Sequence, residues 1–131
     1  MRTIDINSDL GESFGNWRMG DDAAVIPEIT SANVACGFHA SDPVTMIRTV
    51  ELCRRSGVEV GSHPGFPDLL GFGRRAMRIS PDDCYAYVLY QTGALKAVLD
   101  AQDMTLHHLK PHGAFYAVLR EDDALAAAFC D

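Results

Sequence analysis
The chain has 131 residues, of which 47% are apolar and 22% charged. That length and balance suit one folded domain, residues 1–131, around a single core, and they exclude intrinsic disorder. Eleven basic against eighteen acidic side chains leave a formal net charge of −7, which disfavours nucleic acid and anionic membranes as partners.

Strand-like and helix-like segments alternate along the chain. Thr3–Ser8 is β-branched at Thr3, Ile4 and Ile6 and reads as a first strand, entered directly from Met1-Arg2 with no targeting segment expected. Gly15–Pro27 reads as a loop, and Ser31–Cys36 as the second strand. Asp42 then offers an N-cap, Pro43 a first helical position, and Met46, Ile47, Val50 and Cys53 one apolar face, with Gly57 as terminator. Val58–Ser62 is the third strand, and Gly61–Arg78 a long Gly- and Pro-rich loop. Ser80-Pro81-Asp82-Asp83 is a second start signal, for a helix carrying Tyr85, Val88, Leu89, Thr92, Leu95 and Leu99. Thr105–Leu109 is the fourth strand, and Ala114–Asp131 forms one last helix or two short ones.

This alternation predicts parallel strands with right-handed crossovers, in either an open doubly wound sheet or a (β/α) barrel. No GxGxxG follows a strand, so the dinucleotide-binding version has no support. A complete barrel takes roughly 250 residues, and the chain stops inside an Ala-rich helical pattern, so a truncated barrel domain is expected. No apolar run reaches membrane-spanning length. Cys36, Cys53, Cys84 and Cys130 form no CxxC and are expected to be buried free thiols in a reducing cytoplasm.

In both architectures ligands bind at the carboxyl ends of the strands. Here those ends read Asn7-Ser8-Asp9-Leu10-Gly11-Glu12, Cys36-Gly37-Phe38-His39, Gly61-Ser62-His63-Pro64 and Lys110-Pro111-His112-Gly113. Side chains two apart share a strand face. Asp5, Asn7 and Asp9 therefore lie on one face, opposite Ile4 and Ile6; Glu59, Gly61 and His63 share a face, as do His108 and Lys110, with His107 turned the other way. Buried charges persist only when paired or functional, so Asp9, Glu12, His39, His63, Lys110 and His112 are the candidate catalytic residues. Asp9 and Glu12 suit a base or metal ligand, and Lys110 an oxyanion, carboxylate or phosphate. Asp42 reads as a cap, and His107 as structural or exposed. Asp9, His39, His63 and His112 can supply the ligands of a divalent metal, although no tight motif such as HExxH is present. Arg74 and Arg75, beside Gly71 and Gly73, suit anion capture, but no Walker A loop exists in the chain. The strand-end aromatics Phe14, Trp17, Phe38, Phe66 and Phe72 either line a pocket or pack loops together.

Several blocks resemble the LamB/YcsF family: Asn7-Ser8-Asp9-Leu10-Gly11-Glu12-Ser13-Phe14-Gly15, Met19-Gly20-Asp21-Asp22, Ser31 through Pro43, Gly61-Ser62-His63-Pro64-Gly65-Phe66-Pro67-Asp68, Gly71-Phe72-Gly73-Arg74-Arg75 and Lys110-Pro111-His112-Gly113-Ala114-Phe115-Tyr116. The blocks follow one another over essentially the whole chain. Ser8 stands where the family often has Cys, and Phe115 where Leu is common. The resemblance implies the N-terminal half of a distorted (β/α) barrel, similar to the glycoside hydrolase and deacetylase superfamily. It also implies ATP-dependent hydrolytic opening of 5-oxo-L-proline to L-glutamate, with ATP as co-substrate and two partner subunits, B and C. On that reading Asp9 or His63 activates water, Lys110 and His112 hold the oxyanion or phosphate, and Asn7, Asn33, Arg74 and Arg75 bind substrate. Two alternatives stay open: a metal-dependent deacetylase or amide hydrolase working without ATP, and a non-catalytic substrate-binding subunit.

Overall fold
The computed structural model describes residues 2–131. Four strands, β1 (Asn7–Leu10), β2 (Ser31–Ala35), β3 (Glu59–His63) and β4 (Leu106–Leu109), form one parallel sheet in the order β1-β2-β3-β4. After β1 come the short helix α1 (Asp22–Val25) and a 3-10 turn at Ile26–Glu28; α2 (Pro43–Ser56) follows β2, α3 (Pro81–Asp100) follows β3, and α4 (Gly113–Leu119) and α5 (Asp123–Cys130) follow β4.

Leu10, Ala32, Val34, Val58 and Val60 of the sheet region bury against Met46, Val50 and Cys53 of α2 and Leu95 and Leu99 of α3. Both long helices thus cover the same face. A doubly wound sheet reverses its strand order and covers both faces; a sequential order with one apolar face is the arrangement of neighbouring barrel strands. Of the two expected architectures, the barrel-like one is therefore observed. The other face carries Asp5, Asn7, Asp9, Asn33, His63, His108 and Lys110, which bond across it.

Local chemistry accounts for the helix boundaries. The Asp42 carboxylate accepts the Val44 and Thr45 amides at 2.9 and 3.0 Å, and Gly57 ends α2 in the left-handed region (φ 67°). Ser80 and Asp83 form a reciprocal capping box at the start of α3. The C-terminal segment is two helices, because Asp122 caps a new start. Phe66, stacked on Phe115 at 4.8 Å, joins Cys84, Val88, Leu125 and Ala128 in a second core that pins the loop after β3 onto α3, α4 and α5.

Four expectations need correction. The first strand begins at Asn7, not Thr3: Ile4 and Ile6 are 80% and 51% exposed, with no element among the described residues packed over them as a core. The Ile6 backbone bonds to Thr30 and Ser31. Gly15–Pro27 is not wholly loop, since Asp21 caps α1 within it. Cys130 is exposed, while the other three free thiols are buried. Finally, β4 carries a bulge, pairing Val60 with Leu106 but Ser62 with Leu109. The extra residue brings the His107 and His108 rings together, Nδ1 to Nδ1 at 3.0 Å, so they do not face opposite ways. Among the described residues, no helix is long and apolar enough to cross a membrane.

Candidate active site
The carboxyl ends of the four strands converge as the sequence suggests, and Asp9, Glu12, His39, His63, Lys110 and His112 form one contact network. Asp9, at the end of β1, receives Lys110 Nζ at 2.6 Å and Asn33 Nδ2 at 2.7 Å on one oxygen; its other oxygen lies 3.3 Å from His63 Nε2. Asn33 is fully buried on β2 and also bonds Asn7 and His108. It thereby ties β1 to β4 across the polar face.

His39, His63 and His112 are all buried. His63 projects from the end of β3 and donates Nδ1–H to the Lys110 carbonyl at 2.7 Å. His112, at the N-cap of α4, donates Nε2–H to the Phe72 carbonyl at 2.8 Å. A carbonyl can only accept, so both tautomers are assigned by these bonds. The remaining nitrogens, His63 Nε2 and His112 Nδ1, face each other at 3.0 Å. His39 lies flat on His112, ring centroids 3.7 Å apart and planes within 2°, and reaches Glu12 Oε1 with Nε2 at 3.3 Å. The same Glu12 oxygen is 3.7 Å from His112 Nδ1. Donor atoms of Glu12, His39, His63 and His112 all lie within 4.8 Å of one another. Glu12 thus joins His39, His63 and His112 among the possible metal donors, while Asp9 stays beside His63 at 3.3 Å.

Electrostatics separates the two carboxylates. Burial opposes ionisation of Asp9, but its close contacts with His63 and Lys110 outweigh it and hold the carboxyl far below the usual range. Burial instead pushes Glu12 up, against the opposing pull of His112 and His63. Burial also lowers His39 to about 3 and His112 to about 4, so both rings are neutral at pH 7.

The strand-end glycines serve a purpose the sequence did not reveal. A Cβ at Gly61 would clash with the His108 ring, and one at Gly65 would lie 2.5 Å from His39 Nδ1. Gly73, at φ 61°, leaves room for both His39 and His112. The space at these three glycines belongs to the histidines. The Phe72 carbonyl, and the role of Asn33 as a hub between strands, are likewise tertiary facts without a sequence signal.

The two loop arginines part company. Arg75 Nε bonds both Asp68 oxygens at 3.0 Å, so it clamps its own loop instead of reaching the cluster. Arg74 is exposed, 5.5 Å from the centre of the Phe72 ring, and its charge acts on Glu12. The aromatics mostly pack loops: Phe66 is buried, Phe14 pairs with Trp17 and Phe38 with Tyr87 and Tyr90, whereas Phe72 lies edge-on to His39 and His112.

The model of the LamB/YcsF family matches residues 4–131. The chain belongs to the LamB/YcsF family. Relatives agree with that membership. The 5-oxoprolinase A subunit of Geobacillus kaustophilus is 56% identical over 98% of this chain and 50% of its own length, and that of Bordetella pertussis is 55% identical over 97% and 50%. The crystal structure of the lactam utilization protein from Thermus thermophilus superposes with a TM-score of 0.96 at 50% identity, covering 98% of this chain and 52% of that one. This LamB/YcsF chain thus spans about half the length of the curated relatives it matches.

Proposed function
We propose that the chain forms part of the A subunit of an ATP-dependent 5-oxoprolinase, which hydrolyses 5-oxo-L-proline to L-glutamate with 5-oxoprolinase subunits B and C in the reducing cytoplasm. The observation that carries the reading is the identity of 54–56% to proteins named as 5-oxoprolinase A subunits over nearly the whole chain. Four free cysteines fit a reducing compartment.

A lactam is resonance-stabilised, so opening it needs an electrophilic group at the carbonyl oxygen and a route for protons. In this reading Lys110 supplies the positive charge. Its ammonium is part-exposed on the open polar face, and Asp9 and its contact at 2.6 Å hold it in place. It meets the developing oxyanion, or the terminal phosphoryl group that the lactam oxygen takes from ATP as ADP leaves, which makes the carbon a better electrophile. Arg74, exposed beside Phe72, takes the substrate carboxylate. Asp9 is too strongly stabilised as an anion to be an efficient base, so its part is to position Lys110 and His63. His63 takes a proton from the water that attacks the lactam carbon and returns it to the leaving nitrogen. Glu12 and His39 stand behind, paired with each other beside His112. With no Walker A loop in the chain, the nucleotide is shared with a partner subunit.

The reading is tested with the full-length protein and both partner subunits, by following 5-oxoproline-dependent ATP cleavage. Asp9→Ala, His63→Ala and Lys110→Ala are each expected to lower kcat by about 100-fold or more. Wild-type coupled turnover in all three variants would sink the reading.

A further inference from the structure
His63, His112 and Glu12 bring three potential ligand atoms close together. His63 Nδ1 and His112 Nε2 each spend a proton on a backbone carbonyl, at 2.7 and 2.8 Å. With only that proton on each ring, His63 Nε2 and His112 Nδ1 present two lone pairs to each other at 3.0 Å, inside the protein. Glu12 Oε1, an acceptor when ionised, is 3.7 Å from the same His112 nitrogen. One added proton on His63 would satisfy the pair of rings, with Asp9 at 3.3 Å as a further acceptor. It would not draw in Glu12, whose Oε1 stays 3.7 Å from His112 Nδ1. A multivalent cation meets all three donors together.

We propose that Glu12 Oε1, His63 Nε2 and His112 Nδ1 bind one divalent transition-metal ion of the zinc type. Two imidazoles and one carboxylate, with a fourth position open, form a set suited to that class. Tetrahedral ligation with bonds of roughly 2.0–2.1 Å separates two nitrogens by about 3.3 Å, so the pair at 3.0 Å has only to open slightly. The backbone carbonyls behind His63 and His112 are the partners that fix a ligating ring's tautomer and direction.

The same geometry assigns His39 a different part, although it lies within the cluster. Its ring is parallel to that of His112 at 3.7 Å. A metal ion binds in the plane of an imidazole, along the lone pair, and no point lies in two stacked parallel planes. His39 and His112 therefore do not ligate one ion together. His39 instead donates Nε2–H to Glu12 and aims that carboxylate. Gly65 and Gly73 leave the room that lets the two rings stack. When bound, the ion supplies Lewis-acid polarisation of water or a carbonyl. The proposal stands on geometry alone and does not depend on the lactam reading.

The test uses the full-length protein, stripped with a chelator and titrated with Zn²⁺ or Co²⁺ alone. Metal analysis is expected to find about one ion per chain, and Co²⁺ to give the intense visible bands of a tetrahedral site. His63→Ala and His112→Ala should each weaken binding by about 100-fold or more. His39→Ala should keep the ion and the Co²⁺ bands while losing about 10- to 100-fold in affinity, as for other groups that orient a ligand. Because a variant can fail to fold, ¹⁵N NMR of the wild type supplies an independent readout. Zn²⁺ should shift His63 Nε2 and His112 Nδ1 while leaving His107 unmoved. No retained ion, or ¹⁵N signals of a proton-bridged imidazolium that do not respond to Zn²⁺, would overturn the proposal. So would Co²⁺ bands that survive loss of His63 and His112 but vanish with His39.

Discussion

His63 donates its Nδ1 proton to the backbone carbonyl of Lys110 at 2.7 Å, while the Lys110 side chain reaches across to Asp9 at 2.6 Å. One residue therefore acts twice: its carbonyl orients an imidazole and its ammonium neutralises a carboxylate. The two contributions separate by mutation. Lys110→Met keeps the carbonyl and removes the charge. It should leave the His63 tautomer unchanged by ¹⁵N NMR and cost no more than about 1 kcal/mol of stability, as for a part-exposed ion pair. Turnover of the assembled enzyme should fall by about 100-fold. A variant with unchanged turnover would show that the ammonium is not used.

Asn33 is buried between Asp9, Asn7 and His108. Asn33→Ala removes the hub and leaves those groups with unfilled bonds. About 1–3 kcal/mol of destabilisation is expected, read as a lower urea midpoint with an unchanged slope. Equal midpoints for variant and wild type would mean that water replaces the amide at no cost.

Asp42 caps α2 and also accepts the Gly15 amide and the Thr45 hydroxyl. Those backbone hydrogen bonds lower its carboxyl from 3.8 to about 2. A depressed carboxyl contributes stability that is complete above the unfolded value near 3.8 and is lost as pH falls through about 2. Asp42→Ala should cost about 1 kcal/mol at neutral pH. Asp42→Asn, which still caps, should keep most of that and flatten the fall in Tm between about pH 4 and about pH 2. Thermal melts at several pH values check both; an Asn variant with the wild-type acid slope would contradict the assignment.

Two glycines should respond oppositely to alanine. Gly93 lies inside α3 with nothing near its missing Cβ, so Gly93→Ala should stabilise by about 0.5–1 kcal/mol. At Gly73, φ is 61° and a Cβ would lie 2.7 Å from His39 Cβ and 2.9 Å from His112 Cδ2. Gly73→Ala should therefore lower Tm and disturb the stacked pair, seen as altered His39 and His112 NMR signals. Melts that rank the two variants in the reverse order would refute the packing described.

Where a contact is local in the chain, the amino-acid order already implied it. Asp42 before Pro43, Ser80 three residues ahead of Asp83, and Gly57 after an apolar stripe fix helix ends through bonds spanning a few residues. The alternation of strands and helices, and the polar groups clustered after each strand, likewise pointed to a parallel α/β fold with its site at the strand ends. That reading failed where local pattern and burial diverged. Thr3–Ile6 has strand-forming residues but no covering element among the described residues, and pairing starts at Asn7.

Only the tertiary structure decided which candidates meet and in what protonation. Strand alternation placed His107 and His108 on opposite faces, but a bulge in β4 set by pairing with β3 overrode it. Arg74 and Arg75 are adjacent in sequence, yet Asp68 claims one and leaves the other free of that ion pair. The separation of Asp9 from Glu12 arises because Lys110, a hundred residues away, reaches the first and burial dominates the second. The strand ends that carry Asp9, His63 and Lys110 were thus visible in the sequence as a set of polar residues. Their division into a fixed ion pair, two oriented imidazoles and a stacked third depends on carbonyls and glycines brought from distant loops, which no spacing along the chain encodes.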